Sequence, residues 1–578
     1  MKNNIILLVM LLIYGCFVNS APLKNVPIKI TQPDNTEISC YTSGDEFCHW
    51  LHDKEGNVIV QDTISNYYCY ILEGSDSLVV VRNNYSPVMR YAKSTPSIQQ
   101  ERNKNIKMYN QLKKRPYQFA VTNTKSTTTI NNIVIYVTFS DQADFTNSEL
   151  NSIWGKFNDS YTNANSLKQY FWESSYHQLM VNTLCYPTGT NVYSYHDINP
   201  RNFYCPFSST NLIGYTNDNS RMYREHALLA RAISYVRDEI PLSLDLDSDN
   251  DGYVDNICFI IKGGTTEWNT LLWPHKWSLS SELVLIHGKF VYNYNLQLSE
   301  HIESHGVGVL CHEFGHTLGL PDLYHGYSDP NTGRKWEPVG EWDIMAANGY
   351  YPQQMSCYMK YKYLNWVDGI PTITRSGRYS LAPITSSPQC YKIGITGSSE
   401  FLYLEYRKKT QQYDRSIPNS GLLIYRINPS LEGNFNAVEC GGINDEVYVY
   451  RPYGTFTSDG YIYYAPFCQE LNATTFNENT NPQEFLSNGS TGNIYISNVT
   501  NCDSTISFDV KMCSANDIHY IQYFPVPPYT NAKSITASGT LFFMTNNTVF
   551  EASEYILLES GFNVPQGKVF NAHVKPCE

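Results

Sequence analysis

Apolar residues recur at the three-and-four spacing of one helix face at Val307, Leu310, Cys311, Phe314 and Leu318. The opposite edge of that face carries His312, Glu313 and His316. Gly319 suits a left-handed stop and Pro321 forbids continuation, so the pattern predicts a helix that ends just past His316 and then turns sharply. Upstream, residues 133–139 are an unbroken β-branched and aromatic run, the pattern of a central strand buried on both faces. Residues 257–261 read as a second strand. Amphipathic helices are predicted over 166–179, interrupted near Ser175 and Tyr176, and over 223–240, ahead of Pro241. A further helix is predicted over 357–366, closed by Gly369-Ile370-Pro371.

Other parts of the chain have a different texture. Residues 21–120 form a separate small unit, with short β runs at 57–60, 67–72 and 77–81 between Gly and Asp turns, then a polar helix-prone segment at 98–114. From 371 to 513 short strands alternate with Gly, Asn and Ser turns; runs 401–407 and 421–427 read as strands, and 494–508 as a hairpin. Residues 514–578 follow a Pro-rich linker and read as a small β module.

The motif helix carries the chemistry. Histidines four apart on a helix share one face and can hold a single metal ion. The turn after Gly319 can return Asp322 as a third, oxygen ligand, leaving one position open for water. Two neutral imidazoles and a carboxylate suit zinc. Glu313 lies in the same cleft as a proton acceptor rather than a ligand. His325, shortly after Asp322, is the alternative third ligand.

Asp247, Asp249, Asp251 and Asp255, with Gly252 at the sixth position, match the spacing of a calcium loop. Position twelve is Cys258, so the bidentate Glu of an EF-hand is missing and the loop reads as an isolated structural Ca²⁺ site.

The string H-E-x-x-H-x-x-G-x-x-D resembles the zinc signature of metzincin metalloproteases, and Trp342-Asp343-Ile344-Met345-Ala346 resembles their Met-turn, with Met345 as its methionine. Together the two strings resemble the immune-inhibitor-A-like secreted metalloproteases, over roughly residues 130–510. The resemblance implies an α+β metzincin-like catalytic domain with an N-terminal propeptide and C-terminal β-rich domains. The corresponding boundaries are 1–20 for a signal peptide, 21–120 propeptide, 121–370 catalytic domain, 371–513 a sandwich-like β domain and 514–578 the last module. It also implies a zinc endopeptidase made as a latent proenzyme, acting on extracellular proteins or peptides. A surface adhesin in which the metzincin-like domain matters little is the alternative. Residues 272–278 resemble a recurrent stretch of the family, so His275 either lines the substrate cleft or is a packed histidine. By position after the Met-turn, Tyr350 or Tyr351 is a candidate oxyanion donor, or a tyrosine of the rim.

Lys2, the apolar run 5–14 and small residues before Ala21 form a secretory leader; Ile13-Tyr14-Gly15-Cys16 loosely resembles a lipoprotein box, the alternative being an anchor through Cys16. No later stretch is apolar enough to span a membrane. A net charge of −13 argues against nucleic acid as a partner, and a monomer is expected. Fifteen cysteines, one inside the leader, make several disulfides plausible in an exported chain. Latency requires the open metal position to be filled, for which Cys40, Cys48, Cys69, Asp45 and Asp53 are candidates; Cys48 as a simple disulfide staple is the favoured alternative. Lys113-Lys114-Arg115 is a basic run open to a trypsin-like cut or simply a solvated helix end.

Overall fold

The computed structural model describes residues 23–34, 36–44, 49–61, 67–73, 77–81, 127–189, 192–208, 210–264, 274–326, 336–409, 413–435, 437, 445–512, 517–521, 525–541 and 544–574. The leader with Cys16, the segment 98–114, Lys113-Lys114-Arg115, Asp45 and Cys48 lie outside the described residues.

The first unit is a six-stranded antiparallel meander paired in chain order, Leu23–Thr31, Glu37–Gly44, His49–His52, Val58–Gln61, Tyr68–Ile71 and Leu78–Val80. Its last three strands are the ones the alternation predicts. Cys40 and Cys69 are buried in its small core, and burial pushes the Cys40 thiol up to about 12. Asp53 spends its carboxylate inside its own turn, accepting from Asn57 N at 2.8 Å and Asn57 Nδ2 at 2.7 Å.

The motif region is built on a second sheet. Its main path runs His275–Ser278, Asn293–Leu298, Asn256–Ile261, Thr128–Thr138, Leu179–Tyr186, and only the edge strand His275–Ser278 is antiparallel to its neighbour on that path. Alternate residues of the predicted central strand face two cores. Val134 and Tyr136 pack with the motif helix, while Ile133, Ile135 and Val137 pack with Leu228, Leu229, Ala232 and Ile233 of the helix Asp218–Val236. Both faces are covered, which is why the run is continuously apolar. Each fully buried Ile or Val of this strand contributes roughly 1.5–3 kcal/mol.

Three predicted helices differ in extent, the one expected over 357–366 stopping at Lys362. The helix expected over 166–179 is only Leu167–Ser174, and the chain then enters the strand Leu179–Tyr186. Tyr176 and His177 adopt positive φ of 53° and 67°, and Ser175 Oγ takes the N–H groups of Gln178 and Leu179, so the helix cannot resume. The helix expected from 223 begins five residues sooner, at Asp218, because Asn217 caps it by accepting from Ser220 N.

Residues 371–513 carry two antiparallel sheets that share one core, Gly377–Leu381 with Ile506–Met512 and Ile494–Ser497, and Cys390–Gly394 with Phe401–Arg407, Gly421–Ile427 and Val447–Val449. The larger sheet is buried on both sides. Leu402, Leu404 and Tyr406 face the partner sheet, whereas Tyr403, Leu423 and Tyr425 join the core beneath the motif helix. The last unit, Asp517–Tyr520, Tyr529–Ala537, Asn547–Leu558 and Val569–Val574, is a parallel sheet in chain order. Among the described residues one disulfide is seen, Cys468–Cys502, while Cys40, Cys185, Cys258, Cys311, Cys357 and Cys390 are free. No helix among them is long and apolar enough to cross a membrane.

Candidate metal centre

The motif helix is Gly308–Thr317, and the whole predicted apolar stripe on it and at its ends is buried. Gly319 takes a φ of 93°, the left-handed stop, and Leu318 N and Gly319 N bond back to Gly315 O and His316 O. A row of buried polar side chains fastens the end of this helix to the sheet. Thr317 Oγ1 donates to Asn256 Oδ1 at 2.8 Å, Asn256 Nδ2 donates to Asn132 at 2.6 Å, and Asn132 Nδ2 donates to Thr183 at 3.1 Å.

The turn brings Asp322 back against both histidines. His312 Nε2 and His316 Nε2 lie 3.1 Å apart, and Asp322 Oδ1 is 3.3 Å from the first and 3.1 Å from the second. Each imidazole spends its other nitrogen on a carbonyl: His312 Nδ1 donates to Ile344 O and His316 Nδ1 to Leu320 O, both at 2.8 Å. That fixes the tautomer with a bare lone pair on each Nε2. Asp322 Oδ1 is buried and has no hydrogen-bond donor. With both imidazoles neutral, three acceptor atoms face one another, a set that a cation satisfies; without a metal ion, Asp322 favours a proton on His312 instead. Tetrahedral zinc with bonds near 2.05 Å sets its ligand atoms about 3.3 Å apart, close to the spacing seen. Burial opposes charge on His312, but Asp322 outweighs it and pushes the imidazole up to about 8. Burial would likewise raise the Asp322 carboxyl, yet His316 and His312 hold it well below the usual carboxylate range.

Glu313 is 3% exposed and is not among the three converging donors. Met345 is fully buried beneath the helix, where a Cβ on Gly315 would sit 2.8 Å from its Sδ. Its turn is held by Asp343, whose carboxylate accepts from Met345 N at 2.9 Å and Ser356 N at 2.8 Å.

Several residues around the centre were not legible in the sequence. Asn434, from the β-rich half, donates through its N–H to Asp322 O at 2.8 Å and through Nδ2 to Leu323 O at 3.0 Å, gripping the loop that carries the third donor. Arg407 is fully buried and donates to Trp342 O of the Met-turn, to Gln354 O at 3.1 Å and to Asp414 at 2.6 and 2.8 Å. Its one sequence signal is charge at alternate positions, Glu405 and Arg407, on one face of an otherwise apolar strand.

Other candidates sit elsewhere. His325 Nε2 is engaged with Asp445 Oδ1 at 2.6 Å, both fully buried. His275 is buried against Glu225 at 2.8 Å, on the sheet face away from the motif helix, with Tyr294 donating to the same carboxylate. Tyr350 and Tyr351 pass the first turn of the motif helix, where a Cβ on Gly308 would meet Gly349 O; their partners are Lys156, Asn165, Arg415 and Ser416. In the acidic loop Asp247, Asp249 and Asp255 converge, their oxygens within 4.8 Å of one another. Asp251 instead accepts from Tyr253 N at 2.8 Å. Burial pushes Asp255 up to about 7 and, with Asp251 beside it, Asp249 up to about 6.

Residues 248–358, which enclose this centre, match the family described as immune inhibitor A peptidase M6, catalytic domain. Over these residues the chain is similar to immune inhibitor A. It is 27% identical over 114 residues to immune inhibitor A of Bacillus thuringiensis subsp. alesti, an alignment covering 17% of this chain and 15% of that relative. The match to immune inhibitor A thus spans about one-seventh of the relative's length, and the family match, residues 248–358, takes in His312, His316 and Asp322.

Proposed function

We propose that the protein is a secreted zinc-dependent endopeptidase of metzincin type, made as a latent proenzyme whose first unit is the propeptide. The observation that carries this reading is the meeting of His312 Nε2, His316 Nε2 and Asp322 Oδ1 with no donor among them, beside a buried Glu313. A bound zinc ion supplies Lewis acidity, making water a nucleophile near neutral pH and polarising a carbonyl. Ile344 O and Leu320 O orient the two imidazoles. Glu313 accepts the proton released by the attacking water and passes it to the departing amine. The immune inhibitor A likeness supports protein or peptide as the substrate class.

Two measurements test the metal assignments. Asp322→Ala should carry well under one zinc per chain by elemental analysis and lose peptide cleavage; stoichiometric zinc in that variant would remove Asp322 from the ligand set. For the acidic loop we propose one structural Ca²⁺, supported by the three converging carboxylates. Calcium at about 100 times its Kd should then add about 2.7 kcal/mol of stability. The melting temperature should rise with calcium in the parent chain and stay put in Asp255→Asn; an identical response in both would retire the site.

A further inference from the structure

Two free cysteines meet behind the Met-turn. Cys357 opens the helix Cys357–Lys362, and Cys390 opens the strand Cys390–Gly394 of the β-rich half. They are 33 positions apart in the chain, and both are buried in the core beneath the motif helix. Glu405 gathers them. Cys390 is its directly opposed cross-strand partner, and Cys357 N donates to Glu405 Oε2 at 3.1 Å. The two thiols hydrogen-bond to each other. The Tyr176 hydroxyl lies 3.4 Å from Cys357 Sγ and accepts from the buried Lys360 ammonium at 3.3 Å.

The pair is electrostatically unequal. Burial opposes a thiolate at Cys357, yet the Cys390 S–H and the Lys360 ammonium outweigh it and hold that thiol below its ordinary range. The same hydrogen bond, with burial, pushes the Cys390 thiol well up. Cys357 is thus the attacking sulfur and Cys390 the one that keeps its proton until later. Cys185 and Cys258 make a contrast: they sit on the two strands flanking Val134, about 9–10 Å apart and too far to bridge. We propose that Cys357 and Cys390 form a disulfide that ties the segment after the Met-turn to the β-rich half. The Cys357 thiolate attacks a small-molecule disulfide such as glutathione disulfide and releases one glutathione. The Cys390 sulfur then attacks Cys357 and expels the second. Two S–H bonds are lost, one S–S bond forms, and both protons end on the two glutathiones. The tie falls where it bears on the Met-turn, because Ser356 N beside Cys357 donates to the Asp343 carboxylate that also holds Met345 N. The pairing rests on this geometry and not on the peptidase or export readings.

The full chain, purified without reductant and equilibrated with glutathione disulfide, is denatured in iodoacetamide, digested and mapped by mass. The expected product is a Cys357–Cys390 peptide pair lighter by two hydrogens than the separate thiol peptides, while Cys185 and Cys258 carry the alkyl group. Alkyl groups on both Cys357 and Cys390, or glutathione left on either, overturn the proposal. A second measurement uses Cys390→Ser, which keeps Cys468–Cys502. Reductant should lower the melting temperature of the parent about 5 °C further than that of the variant. Equal falls in the two proteins overturn the proposal as well.

Discussion

Glu313→Ala is expected to lower kcat/KM for a casein-derived peptide about a thousandfold, with zinc still near one per chain. The two halves of this result have different causes. Zinc stays because the converging donors are His312, His316 and Asp322, and Glu313 is not one of them. Activity goes because loss of a positioned general base costs about 10²–10⁴-fold. Glu313→Gln, which keeps shape and removes the basic oxygen, should be nearly as inactive as Ala. Near-parent turnover in either variant would assign the proton transfer to another group.

Arg407→Met should be the most destabilising substitution in the β-rich half. The side chain is fully buried and its charge is balanced by Asp414 and Glu405, also fully buried. Removing the cation leaves those carboxylates uncompensated, at a cost of about 3–5 kcal/mol. For a unit of this size that is on the order of 10 °C in melting temperature. Trp342 O would lose its donor as well, loosening the turn that supplies Ile344 O to His312. The double variant Arg407→Met with Asp414→Leu should recover part of the loss, because the stranded charge goes too. A melt within a degree of the parent for Arg407→Met alone would show that the buried ion cluster does not support the Met-turn.

The three residues proposed to hold the ion are local in the chain: helical spacing sets His312 and His316 one turn apart, and a glycine stop and a proline return Asp322 to them. The central strand was legible because burial on both faces leaves an unbroken apolar run. The supports of the centre were hidden, since Asn434 and Arg407 act across long sequence separations and resemble ordinary loop and strand residues until their partners are known. The switch from helix to the strand Leu179–Tyr186 was hidden for a local reason that composition conceals. It is decided by two positive-φ residues in succession, Tyr176 and His177, a conformation that few non-glycine residues adopt. His275, singled out by its surroundings in the chain, faces Glu225 in the other core. Cysteine pairing was beyond reach for the same reason as Arg407: it depends on which distant strands meet.

The strand Phe401–Arg407 lends one face to the core shared with the partner sheet and the other to the core beneath the motif helix. Recombination that moved residues 121–370 alone into another gene would therefore transplant the signature without its foundation. Selection can be expected to pass the two halves on as one inherited piece.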